Sequence, residues 1–408
     1  MKSKLHFVLG AALLLANSSV VNAQHYKQTS LVSNPAGDAP ASDPALVNPW
    51  GLSRGSGTPW WVSDNGAGVA TLYTGAGAKQ GLTVAIPPSD PTKTPTGSPT
   101  GTIFNGSTTD FLLAPKSPAL FLFATIDGTI AAWNPTVGVL GGPPVTPPST
   151  SAVTVVRTTD GSSYTGLTSV FIDGKQFLYA ANFTKGRIDV YDNAFHRVSL
   201  RHDDNERGDD FDDFGFDEKH NRGGERAFED DRLPNHYVPF NVQAIGNDIV
   251  VTYVLLEKGQ QFETDGPGLG FVDIYSSTGR LLRRLEHGQW LNAPWGIALA
   301  PLDFGRFSHD LLIGQFAGAS ATKSSGFIAA YDLATGKLDG LLEDASGNPI
   351  SIPGVWAISP GNGGAASSDP AAAPAATLYF TQLMNQGKGG LFGYLTPIAT
   401  DLIKGSIQ

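Results

Sequence analysis

Six copies of one short pattern, spaced almost evenly along 408 residues, predict an all-β protein folded as a six-bladed propeller, with four-stranded antiparallel blades around a central channel. Two further observations agree. Apolar runs of strand length keep phase with the pattern. The composition, with Gly 49, Pro 28 and 16% charged residues, suits strands and turns better than helices, and no long stretch carries a convincing helical apolar period.

The pattern is Gly, any residue, an apolar or small residue, two more, then Tyr or Trp. It reads GVATLY from Gly68, GTIAAW from Gly128, GRIDVY from Gly186, GFVDIY from Gly270, GFIAAY from Gly326 and GGLFGY from Gly389. The intervals are 60, 58, 84, 56 and 63 residues, and the long one contains an acidic segment. Glycine at the start allows the positive φ of a tight strand-to-strand turn. The aromatic five places later puts a large apolar body between adjacent sheets.

Each element follows from its place in the unit. Before each copy lies an apolar strand: WWVSDN, LFLFATID, FLYAANF, IVVTYV, LLIGQF and LYFTQL. Further upstream lies another: PWGLS (49–53), YTGLTSV (164–170), PFNVQAI (239–245), PWGIALA (294–300) and VWAISP (355–360), with only TDFLLA (109–114) to fill the place in the second unit. After most copies comes a fourth: LTVAIP, AVTVVRT, RLLRRLE and KLDGLLE. Four strands per unit is the pattern of a blade that buries its faces against its neighbours. The alternative, an ordinary β-sandwich, leaves the even spacing unexplained. The Pro/Gly-rich runs 87–101 and 141–150 are expected in loops. The last blade can be completed by TPIATDLIKGSIQ at one end of the chain or by YKQTSLVSN (26–34) at the other. The second is expected, since it joins both chain ends in one blade and locks the ring without disulfides.

Residues 1–23 read as a secretory signal peptide, with Lys2 and Lys4, the apolar run FVLGAALLLA, and small residues at Val21 and Ala23 before the cut. An uncleaved anchor would need roughly 20 apolar residues. The expectation is a secreted or periplasmic chain, cleaved near Ala23, with residues 24–408 forming a single propeller domain. There is no cysteine, which removes thiol catalysis and Cys-ligated zinc or iron–sulfur sites. The net charge is −10, of which 201–232 carries −7 (13 acids against 6 Lys/Arg). That insert is expected to be a flexible, solvated loop, and the body is near neutral. No basic stripe exists for nucleic acid or anionic lipid, so neither nucleic acid nor membrane insertion is expected, and the chain is expected to be a monomer.

The stretches LVNPWGLS, WWVSDNG, YVPFNVQAIGNDIVVTY, GPGLGFVDIYSSTGRLLRRL, LNAPWGIALAP and GLFGYLTP together resemble a family of secreted, mostly bacterial proteins of uncharacterised function, the NHL-like β-propellers. The resemblance runs over nearly all of residues 24–408. It implies the fold and export, and brings no known activity or catalytic residue. The acidic segment at about 201–227 is an addition to that pattern.

Loops before each first strand and between second and third strands emerge on one face of a propeller. They bring together Asn48, Ser163 and Asn292, with Trp50, Phe240, Trp295 and Trp356 close behind, and Asp64, Asn65, Asp127, Asn182, Lys185, Glu257, Gln315 and Gln382. Carboxylate and amide oxygens suit Ca²⁺ or another divalent cation, for which Asp64, Asp127, Asn182 and Glu257 are the candidate ligands. Indole faces suit sugar rings or organic cations, so Asn48, Trp50, Asn65, Lys185, Asn292, Trp295, Gln315, Trp356 and Gln382 are the candidate ligand-binding set. Asp and Asn at turns also commonly bond their own backbone, and the aromatics can be core packing. Catalytic templates fail: Ser53 in GLSRG (51–55) lies within an expected strand rather than at a strand-to-helix turn, and no EF-hand register fits the insert. Asn105 and Asn182 stand in N-x-S/T sequons. Two readings remain, a binding module for a small molecule, carbohydrate or envelope partner, and a metal-assisted hydrolase or lactonase of the gluconolactonase type.

Overall fold

The computed structural model describes residues 24–200, 227–316, 326–361 and 376–399. The expected signal segment and most of the acidic insert lie outside these residues.

The chain is an all-β, six-bladed propeller of antiparallel blades. Blade 1 runs Pro49–Ser53, Trp60–Asp64, Val69–Tyr73, Lys79–Ala85. Blade 2 runs Pro99–Phe104, Phe121–Thr125, Thr129–Trp133, Val153–Arg157. Blade 3 has Tyr164–Ile172, Lys175–Asn182, Arg187–Tyr191 and the short Arg197–Val198. Blade 4 has Tyr237–Ile245, Asp248–Leu255, Phe271–Tyr275, Leu281–Arg284. Blade 5 has Pro294–Leu299, Leu311–Gln315, Ile328–Tyr331, Leu338–Leu341. Blade 6 takes Val355–Pro360, Leu378–Met384 and Gly389–Pro397 from one end of the fold, and Tyr26–Asn34 from the other. Tyr26 pairs with Pro397 and Asn34 with Gly390, so the ring closes through the upstream strand, the one expected because it joins both ends of the fold in one blade.

One strand differs from its sequence reading. The first strand of blade 2 is Pro99–Phe104, and TDFLLA instead falls in the crossing to the second strand, where Leu112–Ala114 pairs with Ser117–Pro118. The reason is visible in Pro99-Thr100-Gly101, which repeats the Pro-x-Gly of residues 49–51 and 294–296.

That tripeptide marks the geometry of the axis. Each of the six innermost strands has a break of register near its start, as between Tyr164 and Gly166, Pro239 and Asn241, or Pro294 and Gly296. Such bulges bend and re-aim a strand. They also let neighbouring inner strands approach until their backbones nearly touch. A Cβ on Gly51 would lie 2.4 Å from the Thr100 carbonyl oxygen, and one on Gly101 2.5 Å from the Leu167 nitrogen. The groups freed by the bulges are rebonded. Thr252 Oγ1 accepts from Asn241 N at 3.0 Å, and Thr381 Oγ1 accepts from Ala357 N at 3.1 Å. Thr381 also donates to Trp50 O of blade 1 at 2.6 Å, across the closure of the ring. Thr100 Oγ1 donates to Tyr164 O at 2.8 Å and Asn241 Nδ2 to Trp295 O at 2.7 Å, joining blades 2 to 3 and 4 to 5.

Between the blades sit the repeat aromatics, and their polar ends are held. Tyr73 Oη donates to Asp43 at 2.7 Å, Tyr191 pairs with Tyr164 at 2.6 Å, and Tyr275 with Tyr253 at 2.7 Å. Trp133 Nε1 donates to Ser149 O at 2.9 Å. The end of the acidic insert is packed here as well. Phe228 is buried against Tyr179 and Tyr275, and Arg284 bridges the buried Asp273 (2.8 Å) and Asp230 (2.7 Å).

Gly101→Ala is expected to lower stability by about 1–3 kcal/mol, because the backbone of Gly166 and Leu167 must move; Gly81→Ala, in open space and without a positive φ, tests whether the loss follows crowding rather than glycine loss. Equal denaturation midpoints for Gly101→Ala and the unaltered protein would contradict the backbone contact.

Candidate functional site

The loops that enter first strands and those that join second to third strands share one face. The first residue inside the register break of each inner strand is Trp50, Thr100, Thr165, Phe240, Trp295 or Trp356. The four aromatics among them meet there, joined by Phe183 and Phe316 from two second-to-third connections. Trp50 and Trp356 stack with centroids 3.6 Å apart, and Phe316 stacks on the same Trp356 at 3.8 Å. Trp295 meets Trp50 and Trp356 edge-on at 5.9 and 5.6 Å. Trp356 is only 2% exposed. The indoles therefore fill the axis as a plug rather than lining an open funnel, which corrects the expected role of Trp50, Trp295 and Trp356. The cause is size: large rings converging from several blades bury more area by stacking on one another than by facing water. Beyond the plug, a cavity of ≈ 30 Å³ is lined by Gly101, Thr102, Asn241, Gln243, Ile297 and Ile358, space for water and too small for a sugar ring.

The expected amides form a girdle around this floor. Asn48 Oδ1 accepts from Trp356 Nε1 at 3.0 Å, and its Nδ2 donates to Asn65 Oδ1 at 3.2 Å. Asn65 in turn donates to Pro99 O at 3.1 Å, reaching blade 2. Gln315 Oε1 accepts from Asn292 N at 2.9 Å, and Asn292 Oδ1 from Gly266 N at 2.8 Å. Gln382 Nε2 donates to Pro353 O at 3.0 Å. The Lys185 ammonium donates to Asp160 O, and Ser163 O accepts from Phe183 N at 2.9 Å. These side chains hold loops to loops.

The four candidate metal ligands stand on four different blades. Asp64 is fully buried within blade 1, where Thr71 donates to it at 2.7 Å and burial pushes its carboxyl well above the usual range. Asp127 accepts from Ser89 N at 2.5 Å. Asn182, also fully buried, donates to Ser162 Oγ at 2.9 Å and Asp189 Oδ2 at 2.7 Å. Glu257 is exposed at the root of the blade 4 loop. Among the described residues, no three His, Asp or Glu side chains are placed to share an ion. Both sequon asparagines are buried, Asn105 donating to Ala119 O at 2.8 Å, so neither presents its amide to a glycosylating enzyme in the folded chain.

Sequence reasoning passed over the group that stands free above the girdle. The blade 4 connection 256–270 is held at its ends, Thr264 N donating to Leu255 O at 2.8 Å and Ala293 N to Leu269 O at 3.1 Å. At its apex Phe262 is 74% exposed. Beside it burial pushes Glu263 up to about 7, helped by repulsion from Asp265, which burial raises to about 6. By surface area Glu263 is half-buried and Asp265 is exposed. The available signal was the length of this loop against the tight turns at Gly68, Gly128 and Gly186.

Together, ring and face define a β-propeller with a plugged axis. No family model matches the chain. Its sequence is similar to three uncharacterized proteins of Acanthamoeba polyphaga mimivirus. R640 is 29% identical over 238 residues, 58% of this chain and 37% of its own length, so the chain spans little more than a third of that relative. R648 is 26% identical and L690 27%, each match covering 82% of this chain and 74% or 79% of the relative. Among solved structures, it is similar to a streptogramin B lyase (11% identity, 92% of this chain and 98% of that one, TM-score 0.46). It is also similar to the PQQ-bound aldose sugar dehydrogenase of Streptomyces coelicolor (10%, 92% and 99%, TM-score 0.46).

Trp356→Ala is expected to cost about 3–5 kcal/mol in denaturant unfolding, since it removes the ring on which both Trp50 and Phe316 stack; a loss under about 1 kcal/mol would mean the plug is not packed as described. Glu263→Gln addresses pH. A carboxyl whose folded value lies above its unfolded one contributes stability at low pH that is lost as pH rises from about 4.5 to about 7. Melting temperatures of Glu263→Gln are therefore expected to fall less over that window than those of the unaltered chain, and parallel curves would contradict the assignment.

Proposed function

We propose that the chain is a secreted or periplasmic binding module, acting as a monomer, which holds a small molecule or carbohydrate on the loop face around the plugged axis. The observation that carries this reading is the contrast on that face. Six bulged strands and a stacked aromatic plug make a rigid floor, the amides of Asn48, Asn65, Asn292, Gln315 and Gln382 tie the surrounding loops, and the blade 4 loop raises Phe262, Glu263 and Asp265 above them. A rigid scaffold carrying a long loop with an exposed aromatic and a partly desolvated carboxyl is how recognition surfaces are commonly built. An envelope protein is the larger partner such a face would suit.

The hydrolase or lactonase reading needs a divalent ion in the funnel, held by oxygens from several blades. Asp64 turns into its own blade and Asn182 into hydrogen bonds with Ser162 and Asp189. The donor set therefore does not fit a shared ion, and no catalytic step is assigned.

Titration calorimetry with a panel of mono- and oligosaccharides, on the unaltered protein and on Phe262→Ala, tests the proposal. The expected result is a sugar whose affinity falls roughly tenfold or more in the variant, about 1.4 kcal/mol, with the melting temperature unchanged. Absence of any bound sugar, or affinity untouched by the variant, would overturn the site. Calcium titration is the companion measurement: a stoichiometric ion lost on Asp127→Ala would restore the enzyme reading.

A further inference from the structure

We propose that the axial cavity beyond the plug is a seat for one alkali cation, sodium or potassium, held by neutral oxygens. The place is separate from the loop face, and the inference does not rest on sugar binding. All six inner strands reach the cavity. Each of them stands last in its own sheet, so an unpaired strand edge turns to the axis from every blade. Trp295 of the plug forms part of the wall, and the space of ≈ 30 Å³ takes one water-sized body.

The polar side chains of the wall have their protons committed elsewhere. Asn241 is 5% exposed. Its Nδ2 donates to Trp295 O at 2.7 Å, which fixes the orientation of the amide and leaves Oδ1 as an acceptor. That oxygen lies against Gly166, where a Cβ would collide with it, and among the described residues no donor is bonded to it. Gln243 stands two residues on, hence on the same side of the strand. Its Nε2 turns to Ala244 O at 3.4 Å, leaving Oε1. Thr102 gives its one hydroxyl proton to Leu122 O at 3.0 Å. The wall therefore offers oxygen lone pairs, and a buried acceptor with nothing to accept is costly. A water has two protons to give, fewer than these oxygens and the strand edges can take. A small cation satisfies them together. No Asp or Glu lines the cavity, so a divalent ion would carry uncompensated charge into a buried place. A single charge among amide, hydroxyl and strand carbonyl oxygens is the arrangement that replaces the water shell of alkali ions in selective pores.

Thermal unfolding of the protein in sodium, potassium and choline chloride at equal ionic strength is the test, after dialysis into choline buffer. The midpoint is expected to rise with the logarithm of sodium or potassium concentration and to stay level in choline, since an ion bound only by the folded ring stabilises it by mass action. The steeper series names the ion. Gln243→Leu removes one oxygen and leaves the bond from Asn241 to Trp295 in place, so it is expected to fold and to lose most of the rise. Crystals grown with thallium(I) are expected to show anomalous density on the axis beside Asn241. Equal midpoints in the three salts would show that water alone fills the cavity and would overturn the proposal. A salt-specific rise that Gln243→Leu leaves intact, or anomalous density only elsewhere in the fold, would overturn it as well, because the ion would then sit in another place.

Discussion

The close approach of six backbones around one axis is the constraint from which the rest of the molecule follows. Inner strands can come within reach of one another only where a side chain is missing, and Gly51, Gly101, Gly166 and Gly296 supply that gap. The approach in turn forces a bulge in each strand, and each bulge frees backbone groups that must be bonded again. Threonine and asparagine do this at several blades, and the bonds run as often to the neighbouring blade as within one. A ring of sheets with no disulfide thus gains directional links at its narrowest point, where apolar packing alone would allow the blades to slide.

The same geometry decides what the axis can be. Residues next to the bulges are thrown inward, so a large residue at that place fills the channel and a small one leaves it open. Four of the six places hold Trp or Phe. The face therefore has a solid floor with the loops arranged around it. This separates the chain from any propeller whose chemistry depends on a solvent-filled centre.

Much of this was legible beforehand, and the divisions are physical. The glycine-to-aromatic pattern was readable because a turn and a sheet-to-sheet contact impose residue types at a fixed distance. Phase left two segments able to close the ring, and the upstream one was preferred because it locks both ends of the fold into one blade. Pro99–Phe104 was not readable, because the Pro and Gly of its Pro-Thr-Gly-Thr run read as a turn rather than a strand; Gly51 on one side and Leu167 on the other hold it as a strand. At the site, Asp64, Asn182, Gln315 and Gln382 were expected in the loops between second and third strands, and they lie at or near the ends of the second strands. Their direction was hidden, since a polar side chain at a strand end can face the axis or bond a neighbouring strand or loop, and only packing chooses. Glu263 was hidden for the opposite reason. It belongs to a loop outside the repeat, where spacing carries no information.

The sixth blade also sets the order of events in the life of the chain. Its outer strand, Tyr26–Asn34, is made before its partner, Gly389–Pro397, with the other five blades between them. No ring can form while the ribosome still holds the final unit, so the first strand must wait through most of synthesis with an unpaired edge. Such distant pairing raises contact order and slows folding, and an open edge invites association with other chains. A nascent propeller of this design is therefore most vulnerable to aggregation just before its sixth blade closes, which is a reason for a cell to keep it escorted until then.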